Sequence, residues 1–264
     1  CFTPMRYVWD LYDHYCGARA GRATRWLMPP VAAGLRRWDR RTDGVHEFVA
    51  ISHHIADRIR RVYGRAADVI HPPVDVERFR VADAIDDYYL VVSALAPYKR
   101  VDLAIGAANR LGRRLLIVGT GPEEARLRAL AGPTVEFLGW RHDRDVAALY
   151  ARCRALLFPA VEDFGIAPLE AAAAGRPTVA LARGGALETM VGLGADEPPT
   201  AVFFREQTAE ALVEAIRTFE AAEPLFEPKA LRSRAELFDR PVFRQRLLAY
   251  VEARWQEFRA RQAC

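Results

Sequence analysis

With 264 residues and 51% hydrophobic content, the chain can bury a sizeable core and holds one large domain or two small ones. Its net charge of +4 comes from basic residues spread along helical patterns, with no run that would track a phosphate backbone, which argues against a nucleic-acid partner. No stretch of about 18 uninterrupted apolar residues occurs and no charged-then-apolar leader opens the chain, so the expectation is a cytoplasmic protein without a membrane span.

In chain order, the opening CFTPMRYVWDLY reads as the inside of a domain, which predicts a chain truncated at its N-terminus. From Ala18 to Arg41, seven arginines (19, 22, 25, 36, 37, 40 and 41) mix with Trp26, Leu27, Met28 and Trp38. That mixture suits either peripheral contact with an anionic bilayer or a solvated amphipathic surface. HEFVAISHHIADRIRRVYG predicts a strand feeding a helix capped by Ser52, followed by a short strand at Asp68–Ile70. His14, His53 and His54 lie on or beside helical patterns and read as surface or capping positions. His71 to Asp75 contains Pro72 and Pro73, which lack an amide hydrogen and cannot continue a helix or a central strand, so this stretch reads as a joint between units.

Beyond Asp87, short apolar runs alternate with helical patterns, the order of a doubly wound parallel sheet. The predicted strands are Tyr89–Ser93, Arg114–Val118, Val135–Leu138, Ala155–Phe158, Thr178–Ala182 and Ala201–Phe204. Helices are predicted near Val101–Leu111, Pro122–Ala131, Asp143–Cys153, Pro168–Ala174 and Thr208–Glu220, which completes one Rossmann-like α/β domain. After Pro241 an amphipathic segment predicts one long terminal helix. Cys1, Cys16, Cys153 and Cys264 lack the paired spacing of a zinc site or the density of a disulfide scaffold and read as reduced thiols.

The chemistry concentrates after the predicted strand at 155–158, in Pro159-Ala160-Val161-Glu162-Asp163-Phe164-Gly165-Ile166-Ala167-Pro168-Leu169-Glu170. A glycine-bearing loop joins a buried strand to a helix start, the place where α/β sheets bind ligands. The amides around Phe164, Gly165 and Ile166 should be free to meet an anion or a sugar hydroxyl, and Glu162 and Glu170 are spaced to face one ligand. The alternative is that Glu170 favours the positive helix end while Glu162 is merely solvated. Of the 38 basic residues only Lys99 and Lys229 are lysines, and Lys99 sits in the loop after the first strand of the α/β unit, between Ser93 and a helix entrance. A solvated cation beside a helix start is the competing reading.

Glu-x7-Glu followed by an alanine-rich helix and Gly-Arg-Pro resembles the signature of the retaining GT-B glycosyltransferases of family 4. The string EDFGIAPLEAAAAGRP, with Thr3-Pro4-Met5-Arg6-Tyr7 upstream, is similar to the bacterial O-antigen and exopolysaccharide mannosyltransferases. The resemblance implies an α/β GT-B fold, with a remnant of the N-terminal, acceptor-side domain at 1–75 and a complete nucleotide-sugar-binding domain at 76–240. It also implies a helix at 241–264 packing back toward the first unit. It further implies metal-independent transfer of a hexose from a sugar nucleotide, with GDP-mannose preferred and no cofactor, to a glycan or lipid-linked acceptor in lipopolysaccharide biosynthesis. By the same resemblance Glu162 and the amides of Phe164, Gly165 and Ile166 hold the donor sugar, Glu170 the ribose and Lys99 the diphosphate, with Ser93 among the nucleotide-binding residues. Lys99 and Glu162 are the expected catalytic pair, and Leu138 and Trp140 lie on the base side. Arg6 is placed to face an acceptor phosphate, or else is braced against Trp9 and Asp10.

Several positions depart from that pattern. Ala94 stands where an arginine commonly completes the diphosphate site, Phe2 where a histidine positions the sugar, and Ala201 where glycine precedes the last strand. Gly119-Thr120-Gly121-Pro122 lacks the third glycine of a dinucleotide fingerprint and reads as a tight turn. Asp143-Arg144-Asp145 looks like a metal motif but opens a helix, where acidic residues are expected for capping alone, and no metal site is predicted. Glu188, in Gly184-Gly185-Ala186-Leu187-Glu188, reads as a cap or brace of the short helix after the glycines. Three other functions stay open at this point: a phosphorylase or sugar-nucleotide epimerase using a similar pocket, a non-catalytic sugar-nucleotide-binding fragment, and a scaffold with a decayed site.

Overall fold

The computed structural model describes residues 1–12, 16, 21–42 and 44–262. His14, Ala18, Arg19 and Cys264, singled out above, lie outside the described residues. Six parallel strands form the central sheet: β3 (Tyr89–Val92), β4 (Leu115–Val118), β5 (Val135–Gly139), β6 (Ala155–Phe158), β7 (Thr178–Leu181) and β8 (Ala201–Phe204). Their spatial order is β5-β4-β3-β6-β7-β8. Successive strands step outward to β5, and the chain then returns to the centre at β6 and steps the other way. The loops after β3 and β6 therefore diverge at the sheet's midline, leaving a crevice at its carboxyl edge.

Every residue of β4, β6 and β7 is buried, which accounts for their unbroken apolar runs: helices cover both faces of the sheet. On one face lie α3 (Val101–Leu111), α4 (Glu124–Leu130) and α8 (Ala209–Ala222), packed through Leu103, Ile105, Leu127, Leu212, Ile216 and Phe219. On the other, α5 (Asp143–Arg152), α6 (Ile166–Ala173) and α9 (Pro228–Glu236) pack through Tyr150, Leu169 and Ala235. Small side chains let the second half of α6 and its cap pack tightly against the sheet: Ala171, Ala172, Ala173 and the C-cap Ala174 are all at 0% exposure. Cys153, at the end of α5, is a free buried thiol pushed up to about 12 by desolvation, so it is inert packing. Cys1 and Cys16 are also free.

Upstream, β1 (Val49–Ala50) and β2 (Asp68–Val69) form a small parallel pair around α2 (His53–Tyr63), with Phe48, Ile55 and Ile59 as its core. Ser52 caps α2 as expected, its Oγ accepting from the Ile55 amide at 3.1 Å, and Gly64 closes the helix in the left-handed conformation. The arginine-rich stretch is α1 (Arg22–Asp39), which leaves Trp26 at 86% exposure and Trp38 at 62%. The terminal helix is α10 (Arg240–Gln262); its Phe258 ring meets His46 edge-on at 6.2 Å, so it runs beside the upstream unit. The short α7 (Ala186–Thr189) follows the two glycines after β7.

Candidate donor-binding cleft

The loop after β3 turns through a short 3-10 helix, Pro97–Lys99, and enters α3 at Arg100. Arg100 has φ of 52°, the only left-handed non-glycine among the described residues, and a two-pronged contact with Asp102 at 3.1 and 3.3 Å holds it there. This bend aims Lys99 across the crevice at the loop after β6. Lys99 Nζ donates to Glu162 Oε1 at 2.5 Å, and both side chains are largely shielded from solvent. The lysine is thus a partnered cation inside a cleft and not a solvated one.

Two cavities occupy the crevice. The first, about 300 Å³, is lined by Ser93, Lys99, Glu162, Gly165 and Ile166 among others. The second, about 430 Å³, is lined by Arg78, Gly119, Trp140, Asp143 and Glu170 among others. Val92 and Ser93 border both, so a ligand lying across the end of β3 can reach from one to the other. The amides of Phe164, Gly165 and Ile166, at the start of α6, donate to no carbonyl outside that helix among the described residues, leaving donors at the mouth of the first cavity. The Phe164 side chain is buried against His71 and Phe238, so only its backbone is available. Helix α6 begins at Ile166, two residues before the predicted start.

Glu170 is half-buried, and Tyr150 Oη donates to its Oε2 at 3.1 Å. Desolvation raises its carboxyl above the usual range, against the lowering effects of the Tyr150 hydrogen bond and Arg78. Trp140 is 64% exposed on the wall of the second cavity. Leu138 packs against the core and its side chain lines neither cavity. Arg78, which the sequence did not single out, also lines the second cavity and pairs with Asp143 at 3.0 Å.

The glycine motifs have steric causes. A Cβ on Gly119 would sit 1.9 Å from Ser93 O, so the Gly-Thr-Gly turn presses directly on the loop leading to Lys99. A Cβ on Gly184 would sit 2.3 Å from Glu162 O, and Gly185 N donates to that same carbonyl at 2.8 Å. Bare backbone after β7 therefore braces the Glu162 loop.

Three expectations are corrected. Glu188 does not cap its own short helix: its carboxylate accepts from the amides of His53 and His54 at 2.8 and 2.9 Å, capping α2 of the upstream unit. His71 Nε2 lies 3.2 Å from the same carboxylate. Asp143 makes no capping hydrogen bond, since His142 occupies the N-cap of α5, and it pairs with Arg78 instead. Arg6 is not braced against Trp9 and Asp10: Trp9 Nε1 donates to Asp39 and Asp10 pairs with Arg58. Arg6 lies 3.4 Å from Asp163 and over the Tyr98 ring. Among the described residues, no group of three His, Cys, Asp or Glu side chains is arranged to hold a metal ion. No described helix is long and apolar enough to cross a membrane.

Residues 76–236 match the family model for glycosyl transferases group 1, which covers more than half of the chain. The chain belongs to the group 1 glycosyl transferases. Among curated members, it is 35% identical over 119 residues to an O-antigen chain mannosyltransferase C of Escherichia coli, covering 42% of this chain and 32% of that protein. It is 32% identical over 202 residues to a GDP-mannose-dependent alpha-(1-6)-phosphatidylinositol monomannoside mannosyltransferase of Mycobacterium tuberculosis, covering 64% and 52% respectively. This group 1 chain therefore spans about a third to a half of the length of those relatives. Among solved structures, the Anabaena HepE protein in complex with UDP-glucose superposes with a TM-score of 0.72 at 20% identity, over 83% of this chain and 67% of that one. The fold is that of the Rossmann-like GT-B glycosyltransferases, as the Glu-x7-Glu resemblance implied.

Proposed function

We propose that this chain is the donor-binding part of a retaining hexosyltransferase that moves mannose from GDP-mannose onto a lipid-linked or polysaccharide acceptor. The observation that carries this reading is the pair of cavities meeting at Val92 and Ser93, with Lys99 and Glu162 in one and Glu170 in the other. A sugar nucleotide has the matching sequence of parts: a polyol, a dianionic bridge, a ribose and a flat base. In this reading Glu162 and the amides of Phe164, Gly165 and Ile166 take the hexose hydroxyls. Ser93 and Lys99 take the diphosphate, Glu170 the ribose, and Trp140 with the Leu138 backbone the base. Transfer breaks the bond between the hexose anomeric carbon and the diphosphate oxygen while the acceptor hydroxyl oxygen bonds to that carbon from the same face, and its proton passes to the departing diphosphate oxygen. Lys99 and the loop amides stabilise the charge that collects on the departing diphosphate, and no cofactor or metal is assigned.

Mannose and the guanine base are preferred because both curated relatives named above are mannosyltransferases, one of them GDP-mannose-dependent. UDP-glucose, held by the structural neighbour, is the competing donor. The proposed organisation keeps residues 1–75 as the acceptor-side unit with the linker, 76–240 as the donor domain and 241–264 as a returning helix. The exposed Trp26, Trp38 and Arg37 of α1 support peripheral contact with an anionic membrane surface, where lipid-linked acceptors reside.

Calorimetry with GDP-mannose, UDP-glucose and UDP-N-acetylglucosamine, run beside a transfer assay, tests the reading. GDP-mannose is expected to bind most tightly, and Lys99→Ala to weaken it at least tenfold through loss of a charge-assisted contact. Absence of binding by all three sugar nucleotides would remove the proposal. Flotation with phosphatidylglycerol liposomes at low salt tests the membrane contact, which a chain left wholly at the bottom of the gradient would exclude.

A further inference from the structure

Asp163 lies between the glutamate of the first cavity and the buried Phe164, and every polar atom it offers beyond its amide is taken by the upstream unit. Ser52 Oγ, itself fully buried, donates to its carbonyl at 2.6 Å. Arg58 Nη1 donates to Oδ1 at 2.7 Å, and Arg6 Nη1 lies 3.4 Å from Oδ2. Arg58 is only 4% exposed and is held in turn by Thr3 Oγ1 at 2.7 Å and by Asp10. Two guanidinium groups thus face two carboxylates, so the buried charges balance. The short helix α7 meets the same helix start, since its Glu188 accepts from the amides of His53 and His54. Residues 159–165 belong to no helix or named strand; the Gly184–Gly185 backbone braces Glu162 from one side, and Asp163 is where the upstream unit grips the loop from the other.

We infer that Asp163 is a positioning residue, through which Ser52 and Arg58 of the capped helix α2, together with Arg6, set the placement of Glu162 and thereby the recognition of the donor sugar. This rests on the reading of the first cavity as the hexose site. A carboxylate displaced by even about 1 Å forfeits much of its advantage, and the clamp fixes the residue adjacent to it. The base and ribose side, built on β5, α5 and α6, stands outside the clamp.

The test compares calorimetric affinities of the full chain for GDP against GDP-mannose, and for UDP against UDP-glucose, in the wild type and in Asp163→Asn. The substitution keeps the side chain's size but removes the charge that two arginines share. The expected result is a nucleoside diphosphate affinity within about twofold of wild type, with the extra affinity contributed by the sugar lost by about tenfold. A merely structural role would lower both affinities together or neither, and either result overturns the inference. A wild-type chain that binds none of the four ligands overturns the hexose-site reading as well, which separates the two failures. Should Asp163→Asn fail to fold by circular dichroism, Arg6→Lys removes the guanidinium grip on Oδ2 while keeping a cation beside Tyr98 and leaving Arg58 in place. It is then expected to reduce the sugar's contribution severalfold, and unchanged preference in that variant overturns the inference.

Discussion

Lys99 and Glu162 hold each other at 2.5 Å, so a diphosphate entering the cleft competes with a carboxylate for one ammonium group. Glu162→Gln removes the competitor and is expected to tighten binding of a nucleoside diphosphate lacking the sugar by about fivefold, while turnover falls with loss of the sugar contact. Titration of GDP and UDP into the variant checks this; weaker binding would show that the pair cooperates in holding the diphosphate. Glu170 behaves differently because burial raises its carboxyl. Ribose hydroxyls donating to it stabilise the ionised form, so nucleotide affinity should fall as pH drops toward the raised value, which lies above the ordinary carboxylate range. Glu170→Gln is expected to flatten that dependence, and a profile identical to wild type would take Glu170 out of the nucleotide site.

At the scale of elements, the β-strands of the central sheet were legible to within a residue or two, because the buried strands β4, β6 and β7 favour apolar and β-branched side chains, with Thr178 their one polar member. Helix α9 was not: only Leu231 and Ala235 of its nine residues are buried, too few to print a period. Its fixing comes from polar contacts no spacing rule reveals. Arg232 donates to the carbonyls of Phe79 and Ala173 at 2.9 Å each, and Arg234 to those of Thr189 and Glu188. Arg232→Ala should lower unfolding stability by about 2 kcal/mol, since two part-buried carbonyls lose their donor; urea denaturation measures it. The Glu162 loop was legible as a ligand site because glycine and proline mark its backbone, and its lysine partner because lysine is so rare here. The partners of Asp163 and Glu188 were not, since each is separated from its contact by more than 100 residues.

For the whole molecule, Glu188 is a contact that ties the donor domain to the upstream unit. Hydrogen bonds from His71, His54 and His53 hold its carboxyl below the ordinary value despite the opposing effect of burial. A depressed folded value means the stabilisation is fully present above the unfolded value and is lost as pH falls through the folded one. Glu188→Gln should therefore narrow the stability difference between pH 7 and acid, with the loss full above the unfolded glutamate value of about 4.3 and fading as pH falls through the depressed folded one. Thermal melts across that range check it, and parallel profiles for the two proteins would assign the joining of the units to the Arg58 network alone.

The two cavities border each other only at Val92 and Ser93. A scaffold so divided can alter its taste for one end of a bipartite substrate without retraining the other. Grafting the segment from β5 into α5 between members of the family should carry base preference with it and leave the hexose preference of the recipient in place.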